Sequence, residues 1–328
     1  MTHSTSSRLA IIYMGGTFGC VGEPLAPMPA QQFIQQLQQL DLSQHAAEAA
    51  FFVAPAIADS SAYTAREWLA LVAFIQQLQQ QDFSRFVVIH GTDTLSYATA
   101  LVRRFISPAL TVVFTGSQLP LLNVAGTQLR TSSDALDNLH FAIECALQQP
   151  QGVYLAFAQR CLAHGEAIKM HSTDFDAFAT QQRQALTRPT ANIAITEQYL
   201  QQVQQCAIVN FMVQPLHLSV LEQQLAQLLQ PKAPDFVILQ GFGVANLSVN
   251  DAIVQRLHDL HHAGCLVVLT TQVPQGAIEQ AYAINSWVNH APIVLSDTAS
   301  HADLYAKLIQ LYLLYPDLQA RLTAWQQH

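Results

Sequence analysis

The stretch Phe86-Val87-Val88-Ile89-His90-Gly91-Thr92-Asp93-Thr94-Leu95 passes from an unbroken apolar run into a turn of small, hydroxyl-bearing and acidic residues. A short apolar run without alternation reads as a strand covered on both faces, as in a parallel sheet. The carboxyl ends of such strands are where open α/β sheets bind ligands, and loops there sit on a rigid support. A second stretch repeats the pattern: the strand Leu9-Ala10-Ile11-Ile12-Tyr13 runs into Met14-Gly15-Gly16-Thr17-Phe18-Gly19. Two threonine-bearing turns on one sheet edge point to a hydroxyl-based active site.

Working outward, short apolar runs recur at Phe51–Val53, Leu110–Phe114, Val153–Phe157, Ile208–Phe211, Phe236–Leu239, Leu266–Leu269 and Ile293–Leu295. Longer amphipathic stretches separate them. Phe33, Ile34, Leu37 and Leu40 share one helical face of Gln31–Leu40, and Leu71, Phe74, Ile75 and Leu78 share one face of Glu67–Leu78. The alternation predicts an α/β fold with mainly parallel sheets and helices on both faces. The glutamine clusters Gln35-Gln36, Gln38-Gln39 and Gln79-Gln80-Gln81 are interrupted by apolar residues at helical spacing, so they read as uncharged solvent faces.

A chain of 328 residues exceeds the usual reach of one core and predicts two α/β domains, the N-terminal one larger. The polar, proline-containing stretch Ala179–Asn192 begins the connection, which extends through a candidate short strand at Ile193–Ile195. The expected division is residues 1–190, a linker at 191–205, and a second domain at 206–328. There, Phe236-Val-Ile-Leu-Gln-Gly-Phe-Gly-Val-Ala-Asn246 again sets a glycine turn after a strand.

Composition narrows the partners. With 51% apolar and only 11% charged residues, the chain is an ordered globular protein. A net charge of −8 offers no basic footprint for nucleic acid or for an anionic membrane face, so small molecules are expected as partners. The polar start Met1–Arg8 lacks the features of an export signal, which predicts a cytoplasmic location. Cys20, Cys145, Cys161, Cys206 and Cys265 are odd in number and widely spaced, and read as reduced thiols. Thirteen histidines invite a metal reading, but His261-His262 lies on the polar side of a helix without acidic partners, and His90 and His171 read as residues that position turns.

A threonine hydroxyl must lose its proton to a nearby base as it attacks. Thr17 and Thr92 supply hydroxyls, Asp93 a carboxylate, and Lys169, one of three lysines, an amine in Glu166-Ala-Ile-Lys-Met-His-Ser-Thr-Asp-Phe-Asp-Ala-Phe178. A lysine desolvated beside a carboxylate acts as base or relay. Taken singly, each has a plainer reading. Glycine-threonine turns often only join strand to helix, Lys169 suits a surface charge, and Asp93 suits a helix cap near Thr94.

In combination, Gly15-Gly16-Thr17, Asp59-Ser60-Ser61, His90-Gly91-Thr92-Asp93-Thr94, Thr115-Gly116-Ser117-Gln118 and Lys169 resemble, in order and spacing, the motifs of the bacterial L-asparaginases, in their cytoplasmic (type I) form. The turn Gly241–Asn246 resembles that family's second-domain loop. The resemblance implies hydrolysis of L-asparagine to L-aspartate and ammonia through a threonine ester. Thr17 would be the nucleophile, and Thr92, Asp93 and Lys169 the relay, with Asp93 also facing the substrate ammonium. Asp59, Ser60 and Ser61 would hold the α-carboxylate and α-amine end, main-chain N–H groups near Gly16 and Thr92 would hold the oxyanion, and Gly91 would also belong to the substrate-binding set. Ser117 would border the amide, and Asn246 would approach from a neighbouring subunit. The family works as homo-oligomers, dimers or tetramers, and needs no metal or organic cofactor.

One departure stands out: the family's tyrosine on the loop after the nucleophile is absent from Gly22-Glu-Pro-Leu-Ala-Pro-Met28, where Leu25 takes its place. Pro24, Pro27 and Pro29 stiffen that loop. Three readings stand beside an asparaginase, the first two sharing its fold and the third motivated by the absent tyrosine. One is a glutaminase-asparaginase and another an amidotransferase subunit, which would carry an additional amino-terminal domain. The third is a catalytically weakened asparagine- or aspartate-binding protein.

Overall fold

The computed structural model describes residues 8–40, 42, 49–163, 166–180, 192–279 and 282–327. Each apolar run becomes a strand; most gain one to five residues at an end where backbone pairing outruns the apolar signal, whereas Ile293–Leu295 keeps its bounds and Leu110 falls just outside its strand. The strands are β1 (Arg8–Gly15), β2 (Cys20–Val21), β3 (Ala26–Pro27), β4 (Ala50–Ala58), β5 (Phe83–Ile89), β6 (Thr111–Thr115), β7 (Gly152–Phe157), β8 (Arg160–Ala163), β9 (Ala167–Lys169) and β10 (Phe178–Thr180). They are followed by β11 (Ile208–Met212), β12 (Phe236–Gly241), β13 (Leu266–Thr271) and β14 (Ile293–Leu295).

In the first unit the main sheet has the order β4-β1-β5-β6-β7-β8, parallel throughout except for the β7–β8 hairpin. From β1 the chain goes outward to β4 and then returns to the other side at β5. The order therefore reverses between β1 and β5, the kind of switch point where open α/β sheets leave a crevice. Ile11, Ile12, Tyr13, Val87, Val88 and Ile89 are all fully buried, which explains why their sequence does not alternate. The helix Ala65–Gln79 opens with a capping box in which Thr64 and Glu67 satisfy each other's backbone N–H groups. The helix Ala30–Gln38 buries Phe33, Ile34 and Leu37 and turns Gln31, Gln35 and Gln38 to solvent.

The second unit is built on a wholly parallel sheet, β11-β12-β13-β14. Its core gathers Val237, Leu239, Val267 and Leu269 from the strands with Leu221, Leu225, Leu257 and Leu260 from the covering helices. No helix among the described residues is long and apolar enough to cross a membrane.

Ile193–Ile195 is extended but is not a strand. The Gln76 side chain donates to the Ile193 carbonyl (2.8 Å) and accepts from the Ile195 N–H (3.3 Å), while the Ile193 N–H donates to the Phe105 carbonyl (3.0 Å). A side chain thus replaces the ladder that a neighbouring strand would supply. Residues 192–200 group with the first unit and residues from Gln201 onward with the second; residues 181–191 of the expected connection lie outside the described residues. The strands β8, β9 and β10 carry no apolar run and exist through antiparallel pairing, with Lys169 opposite Phe178.

Candidate active site

Because β4, β1, β5 and β6 are neighbours, the turns at their carboxyl ends form one row: Asp59–Ser61, Gly16–Gly19, His90–Thr94 and Gly116–Gln118. Gly16 has φ 83° and ψ −178°, a conformation open essentially to glycine alone. A Cβ there would overlap the Gly91 backbone; one on Gly91 would lie 2.5 Å from Ser60 Oγ and 3.1 Å from Gly16 Cα. The Gly16 and Gly91 turns are in backbone-level contact, with no room for a side chain between them, and the Ser60 side chain packs directly on Gly91.

Polar side chains then lock the row. The Thr94 hydroxyl donates to the Ser60 carbonyl (2.7 Å), tying the β4 turn to the β5 turn. Asp59 accepts from the Ser61 hydroxyl (2.6 Å) and N–H (2.8 Å), and the Ser61 hydroxyl bond in particular holds its carboxyl below the ordinary carboxylate range. Tyr63 Oη accepts from the Ala58 N–H (2.8 Å) and donates to the Met14 carbonyl, bridging β4 to β1 where Gly15 comes to lie opposite Ala58. Burial pushes the Tyr63 hydroxyl up to about 12, so it remains a donor.

Beneath Gly91 lies His90, fully buried. The Trp68 indole N–H donates to His90 Nε2 (3.1 Å), which fixes Nδ1 as the protonated nitrogen, 2.8 Å from the Gly91 carbonyl. Burial depresses this imidazole from 6.5 to about 4 and keeps it neutral. His90 braces the turn from below.

Lys169, reaching in from β9, places Nζ 2.9 Å from Thr92 Oγ1 and 2.7 Å from Asp93 Oδ1. Thr92 is buried, whereas Asp93 is 61% exposed, so the ion pair is well screened and contributes little to stability. Asp93 does not cap a helix: Leu95–Phe105 begins after Thr94 without a side-chain cap, and the Asp93 carboxylate is turned to Lys169. The Thr17 side chain is half-buried, and among the described residues its hydroxyl has no hydrogen-bond partner. The arrangement offers an uncommitted hydroxyl on one turn and a lysine-hydroxyl-carboxylate cluster on the adjacent one.

Other expected residues have partners of their own. The Ser117 hydroxyl, expected to border a substrate amide, is buried and donates to the Leu119 carbonyl (2.6 Å), so it is spent within its own turn. The Gly16 N–H, expected near an oxyanion, donates to the Ala58 carbonyl (3.3 Å). Asn246, in the second unit, follows Ala245 at φ 76° and accepts from Asn285 Nδ2 (2.9 Å). Cys20 is half-buried and donates to the Gly16 carbonyl (3.4 Å).

Asp134 is a residue that sequence reasoning missed. Buried, it accepts from the N–H groups of Gln118 (2.9 Å) and Leu119 (3.0 Å) and from Asn138 Nδ2 (3.0 Å). Ser132-Ser133-Asp134 before an apolar helix reads as a cap, but the carboxylate serves the β6 turn instead of its own helix.

The segment after Thr17 is the β2–β3 hairpin. It is held by the Met28 N–H on the Gly19 carbonyl (3.0 Å) and the Gly22 N–H on the Val124 carbonyl (3.0 Å). Leu25 stands half exposed at its tip. Tyr13 does not replace the missing tyrosine: its ring is fully buried against Phe33 and its hydroxyl, raised by burial, abuts Gly19 without a partner.

Residues 8–202 match the family model described as "Asparaginase, N-terminal". The chain belongs to the asparaginase family. As a member of that family it is an amidohydrolase. It is 28% identical over 301 residues to L-asparaginase 1 of Escherichia coli K12, a similarity covering 87% of this chain and 85% of that one. It is 27% identical over 335 residues to the human 60 kDa lysophospholipase, covering 92% of this chain and 57% of that protein. In fold it resembles L-asparaginase I of Vibrio cholerae, with a TM-score of 0.77 at 23% identity over 98% of this chain and 97% of that one. The thermostable L-asparaginase of Thermococcus kodakarensis gives 0.74 at 22% identity over 96% and 95%.

Two outcomes follow from the supports of this asparaginase-family site. His90 binds its proton more weakly when folded, so its contribution is complete above its unfolded value of 6.5 and is lost as pH falls toward about 4. Urea denaturation from pH 7 to 4 is expected to show a loss of about 3 kcal/mol from this group that His90→Gln abolishes; an unchanged slope in the variant contradicts the assignment. Gly16→Ala is expected to lower unfolding free energy by at least ~3 kcal/mol, combining backbone strain with the clash on Gly91. A urea midpoint equal to wild type would show that the two turns are not in contact.

Proposed function

We propose that this chain hydrolyses L-asparagine to L-aspartate and ammonia through an ester on Thr17. The observation that carries this reading is Lys169 Nζ within hydrogen-bonding distance of both Thr92 and Asp93, on the turn beside a threonine hydroxyl that has no partner among the described residues. The activity in the names of its bacterial relatives supports the same reading.

The Thr17 hydroxyl attacks the side-chain amide carbon as its proton passes toward the Thr92–Lys169 pair. The tetrahedral intermediate collapses, the C–N bond breaks, and ammonia leaves with the proton it gains, forming the threonine ester. Water then adds to the ester under the same relay, releasing aspartate and restoring the hydroxyl. With the Gly16 N–H committed, the N–H groups of Thr17 and Thr92, which open the two short helical turns, are the donors for the oxyanion. One such donor is worth about 3 kcal/mol of transition-state stabilisation. Asp93, mostly exposed, receives the substrate ammonium, and Asp59, Ser60 and Ser61 receive the α-carboxylate and α-amine end. Asn246 of a second copy completes the site in a homo-oligomer, and the enzyme acts in the cytoplasm.

The tyrosine-free hairpin favours a second reading in which the pocket binds asparagine or aspartate with little turnover. Glutamine, one methylene longer, is disfavoured by only about 1 to 3 kcal/mol in a site of this kind.

Ammonia release by the purified chain is expected with L-asparagine above L-glutamine. Thr17→Ala should abolish it and Lys169→Met lower kcat by roughly 10²- to 10⁴-fold. Equal release by wild type and Thr17→Ala would remove Thr17 as nucleophile. Thermal stabilisation by asparagine without any ammonia would favour the binding reading.

A further inference from the structure

The helix Ala135–Gln148 packs against β7 in the first unit and turns Leu139, Ala142, Ile143, Cys145 and Ala146 inward. Successive strand residues face opposite sides of a sheet, and residues paired across an antiparallel hairpin face the same side. Tyr154 and Ala156 on β7 belong to the same core layer as that helix, and they pair with Ala163 and Cys161 on β8. The pleat therefore sends the Cys161 side chain into the layer that holds the buried Cys145. There the two thiols are hydrogen-bonded to each other, with Cys145 as donor and Cys161 as acceptor.

The partners differ in access and in acidity. Cys145 is 3% exposed, whereas Cys161 is half-buried on β8, the outermost strand of the sheet. The bond from Cys145 holds the Cys161 thiol below its ordinary value and pushes the Cys145 thiol up. Burial pushes Cys20, Cys206 and Cys265 up as well, the last two to about 12. The thiolate is the attacking species in thiol–disulfide exchange, so Cys161 is the reactive thiol of the five, and Cys145 is placed to resolve what it forms. Cys206 and Cys265 have no such relation. They stand at the starts of β11 and β13 with β12 between them, roughly 10 Å apart at two strand spacings, whereas a disulfide needs Cα atoms within about 7 Å.

We propose that Cys145 and Cys161 form a reversible disulfide by exchange with a low-molecular-weight disulfide such as that of glutathione, with Cys161 attacking and Cys145 resolving. Cys161 first bonds to one sulfur of the oxidant, whose S–S bond breaks and whose other half leaves as a thiolate. The Cys145 sulfur then bonds to Cys161 Sγ, and the second thiolate leaves. The proton of each protein thiol ends on a released thiol, directly or through solvent. Two protein thiols are thereby oxidised and one small disulfide is reduced to two thiols. The new bond joins the edge strand β8 to the helix that covers its neighbour.

The test treats the folded full chain with glutathione disulfide, alkylates the remaining thiols, and identifies the tryptic peptides by mass spectrometry without reductant. Cleavage after Arg160 separates the two cysteines, so a bond between them appears as one linked pair of peptides. Wild type is expected to lose two alkylatable thiols, to yield the Cys145–Cys161 pair, and to recover both thiols with dithiothreitol. Cys145→Ser should stop at a glutathione adduct on Cys161, formed at least ~10-fold faster than on any other cysteine. Cys161→Ser should take up glutathione at Cys145 at least ~10-fold more slowly than Cys145→Ser does at Cys161. The proposal is overturned if wild type keeps all its thiols, stops at a glutathione adduct, or links any other pair. Modification of Cys145→Ser no faster at Cys161 than at Cys20 overturns it as well. If a serine variant does not fold, the wild-type linkage decides. The readout requires no turnover and is therefore independent of the asparaginase reading.

Discussion

The backbones of Gly16 and Gly91 meet at the point where the sheet order reverses, and the remaining architecture of the site depends on that contact. A crevice between β1 and β5 is a topological property of the strand order. Closing it to reaction distance requires two turns with no side chain between them, and here one of them adopts a conformation that only glycine tolerates. Thr17 and Thr92, each the residue after one of these glycines, are thereby carried to the same place by main-chain geometry. The supports are correspondingly stiff: a neutral histidine pinned between an indole and a carbonyl, a tyrosine bridging two strand ends, and a threonine tied to the neighbouring turn.

Charge is used sparingly around this contact. Only 11% of the residues are charged, and the ion pair described at the site is mostly solvent-facing on its acidic side. It sets an amine against a hydroxyl and leaves a carboxylate edge exposed. The buried charge at the site, Asp134, faces backbone N–H groups and an asparagine amide, so a carboxylate is held in the interior by neutral hydrogen bonds.

The strand ends were legible from sequence because burial on both faces produces unbroken apolar runs, and the turn residues that follow them are chemically unlike any core. The two-unit α/β layout followed from the same rhythm. The short antiparallel strands that deliver Lys169 were not legible, since three-residue strands such as Ala167–Lys169 carry no pattern and exist through their partner. Asp134, Thr94 and Tyr63 escaped for a related reason. Each has a local role available to it, as cap, turn or core residue, and only the three-dimensional neighbour shows that the polar atom serves another segment. Ile193–Ile195 failed in the opposite direction: its apolar pattern suits a strand, but its backbone groups are satisfied by Gln76. Ser117 stands in the β6 turn of the row, where its hydroxyl donates to the Leu119 carbonyl of the same turn.

The central claim is that the uncommitted hydroxyl of Thr17, and not the hydroxyl bound by Lys169, forms the covalent bond. Its most direct test is acid quenching of the enzyme during steady-state turnover of L-asparagine, followed by mass spectrometry of its proteolytic peptides. The expected result is an aspartyl ester on the peptide containing Thr17 and none on the peptide containing Thr92. An ester confined to the Thr92 peptide would contradict the account.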